Sequence, residues 1–269
     1  MATMTELDHR AESRKWFTHF SLRSMTALYV SPMHSPQLTE PEKASVAKSI
    51  RQFQLGEGSK GRRLLARGKR YARQANDPFF SAALELFIKE EQQHSAYLAA
   101  FMRSQGIPRA PHHWVDTVFR KLRGLAGLEL SLSVLVTAEI IAMPYYRALR
   151  DATGSPTLKT ICRRILEDEA AHLRFQSSML ARVGSRRSSA TQRALGSTHR
   201  EFLQGTVALV WMEHRAVFKA AGYDFRRLRD EALSEFKEWQ NARRHMADAY
   251  RNESASAAKL QAVSPLRVE

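Results

Sequence analysis

The residues best suited to chemistry are two glutamate and histidine pairs in Glu-x-x-His spacing, Glu91 with His94 and Glu169 with His172. Residues three apart lie on one face of a helix, and in both segments that face is otherwise apolar. A further glutamate lies on the apolar face of a predicted helix upstream of each pair. We call this set the six candidate ligands: Glu57, Glu91, His94, Glu139, Glu169 and His172.

Four carboxylates and two imidazoles would therefore point into one core. An unpaired carboxylate in apolar surroundings is so unfavourable that it stays protonated. Two divalent cations would neutralise four carboxylates and use all six side chains. Carboxylate oxygens with one imidazole nitrogen per metal suit iron or manganese better than a thiolate-binding metal. The sequence predicts a buried site for two iron ions, with manganese or a mixed Fe/Mn pair as alternatives.

The spacing of these residues repeats along the chain. Each Glu-x-x-His helix begins at a proline 13 residues before its glutamate, at Pro78 and at Pro156. The upstream glutamates, Glu57 and Glu139, precede the same two glutamates by 34 and 30 residues. The two halves therefore share one pattern, which argues against chance placement on solvated helix faces.

Apolar residues spaced alternately three and four apart predict the helices that must position these side chains. We expect four long helices, at about 39–75, 78–105, 125–152 and 156–183. Four glycines between residues 56 and 68 indicate that the first is closely approached by a neighbour or distorted near Glu57. Pro144 predicts a kink just after Glu139.

The fold class expected from this pattern is all-α. Residues 39–184 form the predicted four-helix bundle with the two-metal site. Residues 1–38 form an N-terminal extension, in which Trp16, Phe17, Phe20, Leu22, Leu28 and Tyr29 suggest a short helix packed on the bundle. The remaining segments are a linker at 185–192, two helices at about 193–221 and 224–251 that pack on the bundle, and a flexible tail at 252–269.

Composition narrows the class of protein further. The chain has 269 residues, 43% of them hydrophobic, and no run of eighteen apolar residues that would predict a transmembrane helix. The N-terminus lacks the apolar core of a secretory signal. The single cysteine, Cys162, excludes an internal disulfide and suits a reducing cytoplasm. We expect Cys162 and His214 to be core residues, and His112 and His113 to lie at the surface.

The net charge is +15, and the densest run of basic residues lies at residues 59–73. Such a balance permits binding of RNA, DNA or anionic lipid, although a solvated helix face is the simpler interpretation. The basic residues of this stretch are Lys60, Arg62, Arg63, Arg67, Lys69, Arg70 and Arg73.

One glutamate from each of two helices, with Glu-x-x-His from each of two others, is a pattern that resembles the ferritin-like di-iron carboxylate proteins. The resemblance covers about residues 40–184 and implies a ferritin-like bundle with additional N- and C-terminal helices. It implies that the six candidate ligands hold two irons, bridged by Glu91 and Glu169. Two Glu-x-x-His motifs resemble the oxidase, oxygenase and rubrerythrin side of the superfamily, although the cysteine pairs of a rubredoxin module are absent.

The family also suggests residues behind the ligands. In several members, the acidic residue directly before Glu-x-x-His orients the histidine of the other half. By that position we expect Asp168 to fix the tautomer of His94, and Glu90, unless it is exposed, to do the same for His172. Tyr146, one heptad after Glu139, is a candidate redox-active or hydrogen-bonding tyrosine, with a plain core aromatic the favoured interpretation.

The resemblance implies an enzyme, an O2-dependent oxidase or oxygenase acting on a small organic substrate with an external electron donor. Oligomeric state stays open, and a homodimer is compatible with the pattern. One alternative is an iron-handling or peroxide-scavenging protein without an organic substrate, and another is a purely structural bundle. A further alternative is a tRNA-modifying di-iron hydroxylase, which would hold its tRNA with Arg62, Arg63, Arg67 and Arg70.

Overall fold

The structure is a computed structural model that describes residues 4–29, 36–110, 127–184 and 187–263. These ranges contain eight helices and no strand, which confirms the all-α fold class. His112 and His113 lie outside the described residues. The helices are α1 (Met4–Ser24), α2 (Glu40–Glu57), α3 (Arg62–Gln74), α4 (Pro78–Ser104), α5 (Leu128–Asp151), α6 (Pro156–Val183), α7 (Ser189–Ala220) and α8 (Phe225–Val263).

The starts of the site-bearing helices follow the capping signals in the sequence. Thr39 caps α2, and the carboxylate of Glu42 accepts a hydrogen bond from the Thr39 backbone N–H at 3.0 Å. Asp77 and Ser155 cap α4 and α6, and each is followed by a proline at the first helical position. A proline there loses no hydrogen bond, because the first N–H groups of a helix have no partner inside it. The helices that carry the two Glu-x-x-His pairs therefore begin where local chemistry places them.

The prediction of one helix over 39–75 is wrong, because this segment forms two helices. α2 ends at Glu57 and α3 begins at Arg62. Gly61 has a φ of +54°, a conformation that side chains disfavour, and a Cβ there would lie 2.5 Å from the Ile88 Cδ1 atom. The distortion expected near Glu57 is therefore a full break, at which glycine is the favoured residue.

The eight helices pack around one continuous apolar core. α5 lies along α6, while α4 contacts α1, α2, α3 and α6. α7 packs on α2 and α5, and α8 packs on α5 and α6. In α1, Trp16 and Phe20 are buried in the core as expected. Leu22 and Tyr29 are exposed, so they do not take part in the predicted packing.

The C-terminal helices are longer than predicted. α7 begins at Ser189, inside the expected linker, because the Ser188 side chain caps it by accepting the Thr191 N–H at 3.2 Å. Gly222, with a φ of +74°, follows the end of α7 at the predicted position. α8 continues to Val263, beyond the expected end near residue 251.

One helix of the described ranges, α5, is long and apolar enough by length and composition to cross a membrane. Most of its apolar stretch, 72%, is buried inside the protein. Its apolar side chains are therefore accounted for by the core that they help to form.

Gly61→Ala is expected to destabilise the protein by roughly 1–3 kcal/mol, because alanine strains the positive φ and overlaps the Ile88 side chain. Gly56→Ala is the matched control, since nothing lies within 4 Å of a Cβ at this helical position. The control should be neutral or stabilising by up to about 1 kcal/mol. Urea unfolding of both variants checks this, and equal stability of the two would contradict the account of the break.

Candidate metal centre

The structure brings the six candidate ligands together in the interior, from α2, α4, α5 and α6. They form two groups, and within each group the ligand atoms all lie within 4.8 Å of one another. Glu91 and Glu169 belong to both groups, as expected for carboxylates that bridge two metals. The first group is Glu57, Glu91, His94 and Glu169, and the second is Glu91, Glu139, Glu169 and His172.

The Nδ1 atoms of the two histidines face these carboxylates. His94 Nδ1 lies 3.5 Å from Glu169 Oε1 and 3.9 Å from both Glu57 Oε2 and Glu91 Oε1. His172 Nδ1 lies 2.9 Å from Glu91 Oε1 and 3.3 Å from Glu169 Oε2. Ligands about 2.1 Å from a shared ion sit about 3 Å apart in octahedral geometry. The two distances from His172 Nδ1 are near that value, and the three from His94 Nδ1, at 3.5 to 3.9 Å, are longer.

The Nε2 atom of each histidine points away from the cluster, to the residue expected from the sequence. His94 Nε2 lies 3.1 Å from Asp168 Oδ2, and His172 Nε2 lies 2.9 Å from Glu90 Oε2. Glu90 is buried, so its alternative placement at the surface is excluded. A carboxylate at Nε2 favours a proton on that nitrogen and leaves the lone pair on Nδ1, which is the form that binds a metal.

Asp168 is itself held by two arginines. Arg23 Nε donates to Oδ1 at 2.5 Å, and Arg164 Nε donates to Oδ2 at 2.9 Å. Burial would raise the pKa of Asp168, but His94 and these arginines lower it to about 2. Asp168 is therefore a carboxylate throughout the neutral pH range. Through Arg23, α1 takes part in the support of the site.

Two further side chains hold Glu57 and Glu139, the glutamates that each belong to one group only. The Tyr146 hydroxyl donates to Glu57 Oε1 at 2.6 Å, and Gln176 Nε2 donates to Glu139 Oε1 at 3.0 Å. In both glutamates the other oxygen, Oε2, is the one that faces a histidine Nδ1. The favoured interpretation of Tyr146 as a plain core aromatic is therefore wrong, because this hydroxyl positions a candidate ligand.

The carboxylates strongly perturb one another. Burial raises the pKa of Glu57 well above its usual value, and the charges of Glu91 and Glu169 add to the effect. Burial and the neighbouring Glu139 likewise raise the pKa of Glu169. Burial opposes ionisation of Glu139 too, but hydrogen bonds with Glu169 and His172 lower its pKa to about 2. Without a cation, the cluster therefore holds protons at pH values where glutamate is normally ionised.

The pKa values of His94 and His172 are raised as well. Burial alone would lower the pKa of His94, but its hydrogen bond to Asp168 and the nearby carboxylates raise it. The pKa of His172 is raised further, because Glu139, Glu169 and other carboxylates outweigh the effect of burial.

The donor set fits metal ions. Within the described part of the chain, Glu91 Oε1, Glu169 Oε1 and His94 Nδ1 are buried atoms without a hydrogen-bond partner. Although Glu91 Oε1 lies 2.9 Å from His172 Nδ1, the pair does not meet hydrogen-bond geometry. Buried polar atoms are rarely left without a partner, and here they face one another at ligand spacing. Cations at these two positions would satisfy them.

A cavity of about 180 Å³ adjoins the carboxylates. One water needs about 10–15 Å³ by the same kind of measure, so the space suits an organic molecule. All four glutamates are among the lining residues, and no lysine or arginine is. The apolar lining includes Phe53, Leu64, Phe87, Ile88, Leu135, Ile141 and Val210.

His214 and Cys162 are buried, as expected. His214 Nδ1 lies 2.8 Å from the Ser49 hydroxyl, which confirms a hydrogen-bonded core histidine, and the ring also lines the cavity. Cys162 is a free, fully buried thiol.

Three residues of the site were missed by the sequence analysis. Gln176 and Arg164 carried a local signal, since each lies one helical turn from a site residue, His172 and Asp168 respectively. Arg23 carried none, because it meets Asp168 across 145 residues of chain.

Asp168→Ala is expected to lower metal affinity about 10–100-fold, because His94 loses the partner that orients it. Glu167→Ala is the matched control, since Glu167 also accepts from Arg23, at 2.9 Å, but is exposed and does not touch a histidine. Ferrous iron titration under anaerobic conditions, followed by optical spectra, compares the two. An unchanged metal affinity and spectrum in Asp168→Ala would contradict the role of Asp168 in orienting His94.

The metal-free protein is expected to lose stability as pH rises above about 6.5, the ordinary pKa of histidine. Groups whose pKa is raised by folding keep protons that the unfolded chain releases, so alkaline pH favours unfolding. Glu57, Glu169, His94 and His172 all shift this way. His199, whose pKa burial lowers to about 4, acts in the opposite sense only below this range.

The slope should reach roughly 1.4 kcal/mol per pH unit for each proton released. Urea unfolding of the metal-free protein across this range measures the slope, and Glu57→Gln should reduce it by removing one titrating group. Stability that is flat or rises with pH would contradict the assigned shifts.

Comparison with known proteins leaves the family open. No family model, no curated protein and no solved structure matches this chain. The resemblance to ferritin-like di-iron proteins therefore stays a prediction that rests on the six candidate ligands and their neighbours.

Proposed function

We propose that this chain is a two-iron protein of the ferritin-like type that catalyses an O2-dependent oxidation or oxygenation of a small organic substrate. The observation that carries the proposal is the sharing of Glu91 and Glu169 between two ligand groups beside an apolar cavity. Two iron ions would supply the redox chemistry with O2. The protein would supply their spacing, their charge balance and a pocket for the substrate.

The residues behind the ligands have a defined task in this proposal. Asp168 and Glu90 keep the protons of His94 and His172 on Nε2, so that both Nδ1 lone pairs face the site. Tyr146 and Gln176 each occupy one oxygen of a glutamate and leave the other for a metal. This pre-organisation limits the rearrangement needed when ions bind.

The cavity favours a substrate-oxidising role over iron handling. Both roles would use the same six side chains, but iron handling needs no apolar pocket beside the carboxylates. Apolar walls exclude water and bind the carbon skeleton of an organic molecule. We further propose that the protein works in the cytoplasm, as its single cysteine suggests, and receives electrons from an external donor.

Anaerobic loading with ferrous iron should yield about two irons per chain, the stoichiometry of a di-iron carboxylate site. Optical and Mössbauer spectra before and after O2 should show oxidation of both ions. Glu91→Ala and Glu169→Ala should each reduce the bound iron, because each removes a ligand of both groups. Glu167→Gln is the matched control, since it alters an exposed carboxylate of the helix that carries Glu169.

Three outcomes separate the candidate functions. Two irons that react once with O2 and turn over only with a reductant and an organic substrate support the proposal. Repeated oxidation of added ferrous iron with release of ferric product indicates iron handling instead. Absence of bound metal after loading would leave a structural bundle.

A further inference from the structure

The cavity is open to solvent at the break between α2 and α3. Ser59 and Gly61 from this break and Gly56 from the last turn of α2 are among its lining residues, and Gly56 is exposed, as is Ala138 of α5. Leu64, on the second turn of α3, continues the lining inward. Entry to the cavity from this side therefore passes the start of α3.

The same segment places three cations at the mouth. Lys60, Arg62 and Arg63 are exposed, and each lies within two residues of the lining residue Gly61. None of the three forms an ion pair with a residue that the structure describes. We call them the basic rim: Lys60, Arg62 and Arg63.

The lining of the cavity and the segment beside it differ in charge. Four carboxylates lie among apolar lining residues without lysine or arginine, and the adjoining basic rim is cationic. An anionic group is disfavoured beside the apolar walls and attracted at the rim, while a hydrocarbon chain fits the interior. A ligand with both parts would place its chain among the apolar lining residues and its head beside the basic rim.

We infer that the ligand of this cavity is an amphiphile with one apolar chain and an anionic head such as a phosphate. The chain occupies the cavity and ends near the carboxylates, and the head is paired by the basic rim. The role of the bound amphiphile as substrate rests on the proposed function. Its binding does not require a metal. Soluble phosphorylated or carrier-linked chains and anionic lipids share this chemistry.

Binding of three matched ligands tests the inference: decyl phosphate, 1-decanol and decyltrimethylammonium, each below its micelle concentration, by titration calorimetry at low salt. Decyl phosphate should bind about tenfold tighter or more than the other two, since each basic side chain near an anionic head contributes up to about 1 kcal/mol. High salt should reduce the difference. Equal binding of decyl phosphate and 1-decanol would overturn the inference.

Two triple variants separate the rim from general charge. K60A/R62A/R63A should abolish the advantage of decyl phosphate and leave 1-decanol binding unchanged. K69A/R70A/R73A removes the same charge from exposed positions further along α3 and should keep the advantage. An equal loss in both variants would overturn the role of the rim.

Variants of cavity-lining residues test whether the hydrocarbon chain of the ligand binds in the cavity. Val210→Phe should weaken all three ligands at least tenfold, with Ala138→Leu as a second filling variant and circular dichroism as the check on folding. Unchanged binding in both folded variants would place the chain elsewhere and overturn the inference. If inorganic phosphate competes as strongly as decyl phosphate, the site binds only the anion and not the hydrocarbon chain, which would also overturn the inference.

Further measurements identify the source of the ligand and separate this inference from the proposed function. Binding to phosphatidylglycerol vesicles but not phosphatidylcholine vesicles, lost in the rim variant, supports a membrane source. Binding of free decyl phosphate alone supports a soluble source. Rim-dependent binding of tRNA without any preference for decyl phosphate would overturn the inference in favour of nucleic acid.

The two proposals can fail separately. If the protein binds decyl phosphate but no iron, only the proposed function is contradicted. If it binds two irons but no decyl phosphate, only this inference is contradicted.

Discussion

Four glutamates meet in the interior of this protein, and their lost hydration and mutual repulsion form the constraint on which the rest of the structure depends. Glu139 and Glu169 are almost fully buried, and both candidate histidines are completely so. Ionised carboxylates in such surroundings require either protons or cations. The raised pKa values of Glu57 and Glu169 show the first solution, and metal binding would be the second.

The side chains around the cluster are arranged so that each ligand keeps one atom for the centre. Tyr146, Gln176, Asp168 and Glu90 all act on the outer atom of a ligand. Asp168 needs its own compensation, which Arg23 and Arg164 provide. This chain of contacts explains why α1, which contributes none of the six candidate ligands, is nevertheless tied to them.

The break between α2 and α3 joins the site to the surface. Glu57 is the last residue of α2, so the helix ends at a candidate ligand. The left-handed conformation of Gly61 then turns the chain into α3, where Arg62 and Arg63 face solvent. In a continuous helix Lys60, three residues after Glu57, would lie on the same face as this ligand.

Much of this arrangement was readable from local sequence signals. Three helices begin at the expected positions, where Thr39, Asp77 and Ser155 cap them, because a cap acts on the backbone next to it. The interruption of apolar faces by two Glu-x-x-His pairs and two upstream glutamates identified the six side chains that the structure groups together. The pairing of Asp168 with His94 was expected only through a resemblance to a family, and the structure places the two in contact.

The sequence by itself determined the all-α class and which polar residues face the core, since helical periodicity and capping are local properties. Tertiary structure decided the break at Gly61, where the position of Ile88 matters, and the length of α8. It also decided the partners of Tyr146 and Asp168, because Glu57 and Arg23 reach them across 89 and 145 residues. Contacts over such distances depend on how helices pack, which no local pattern specifies.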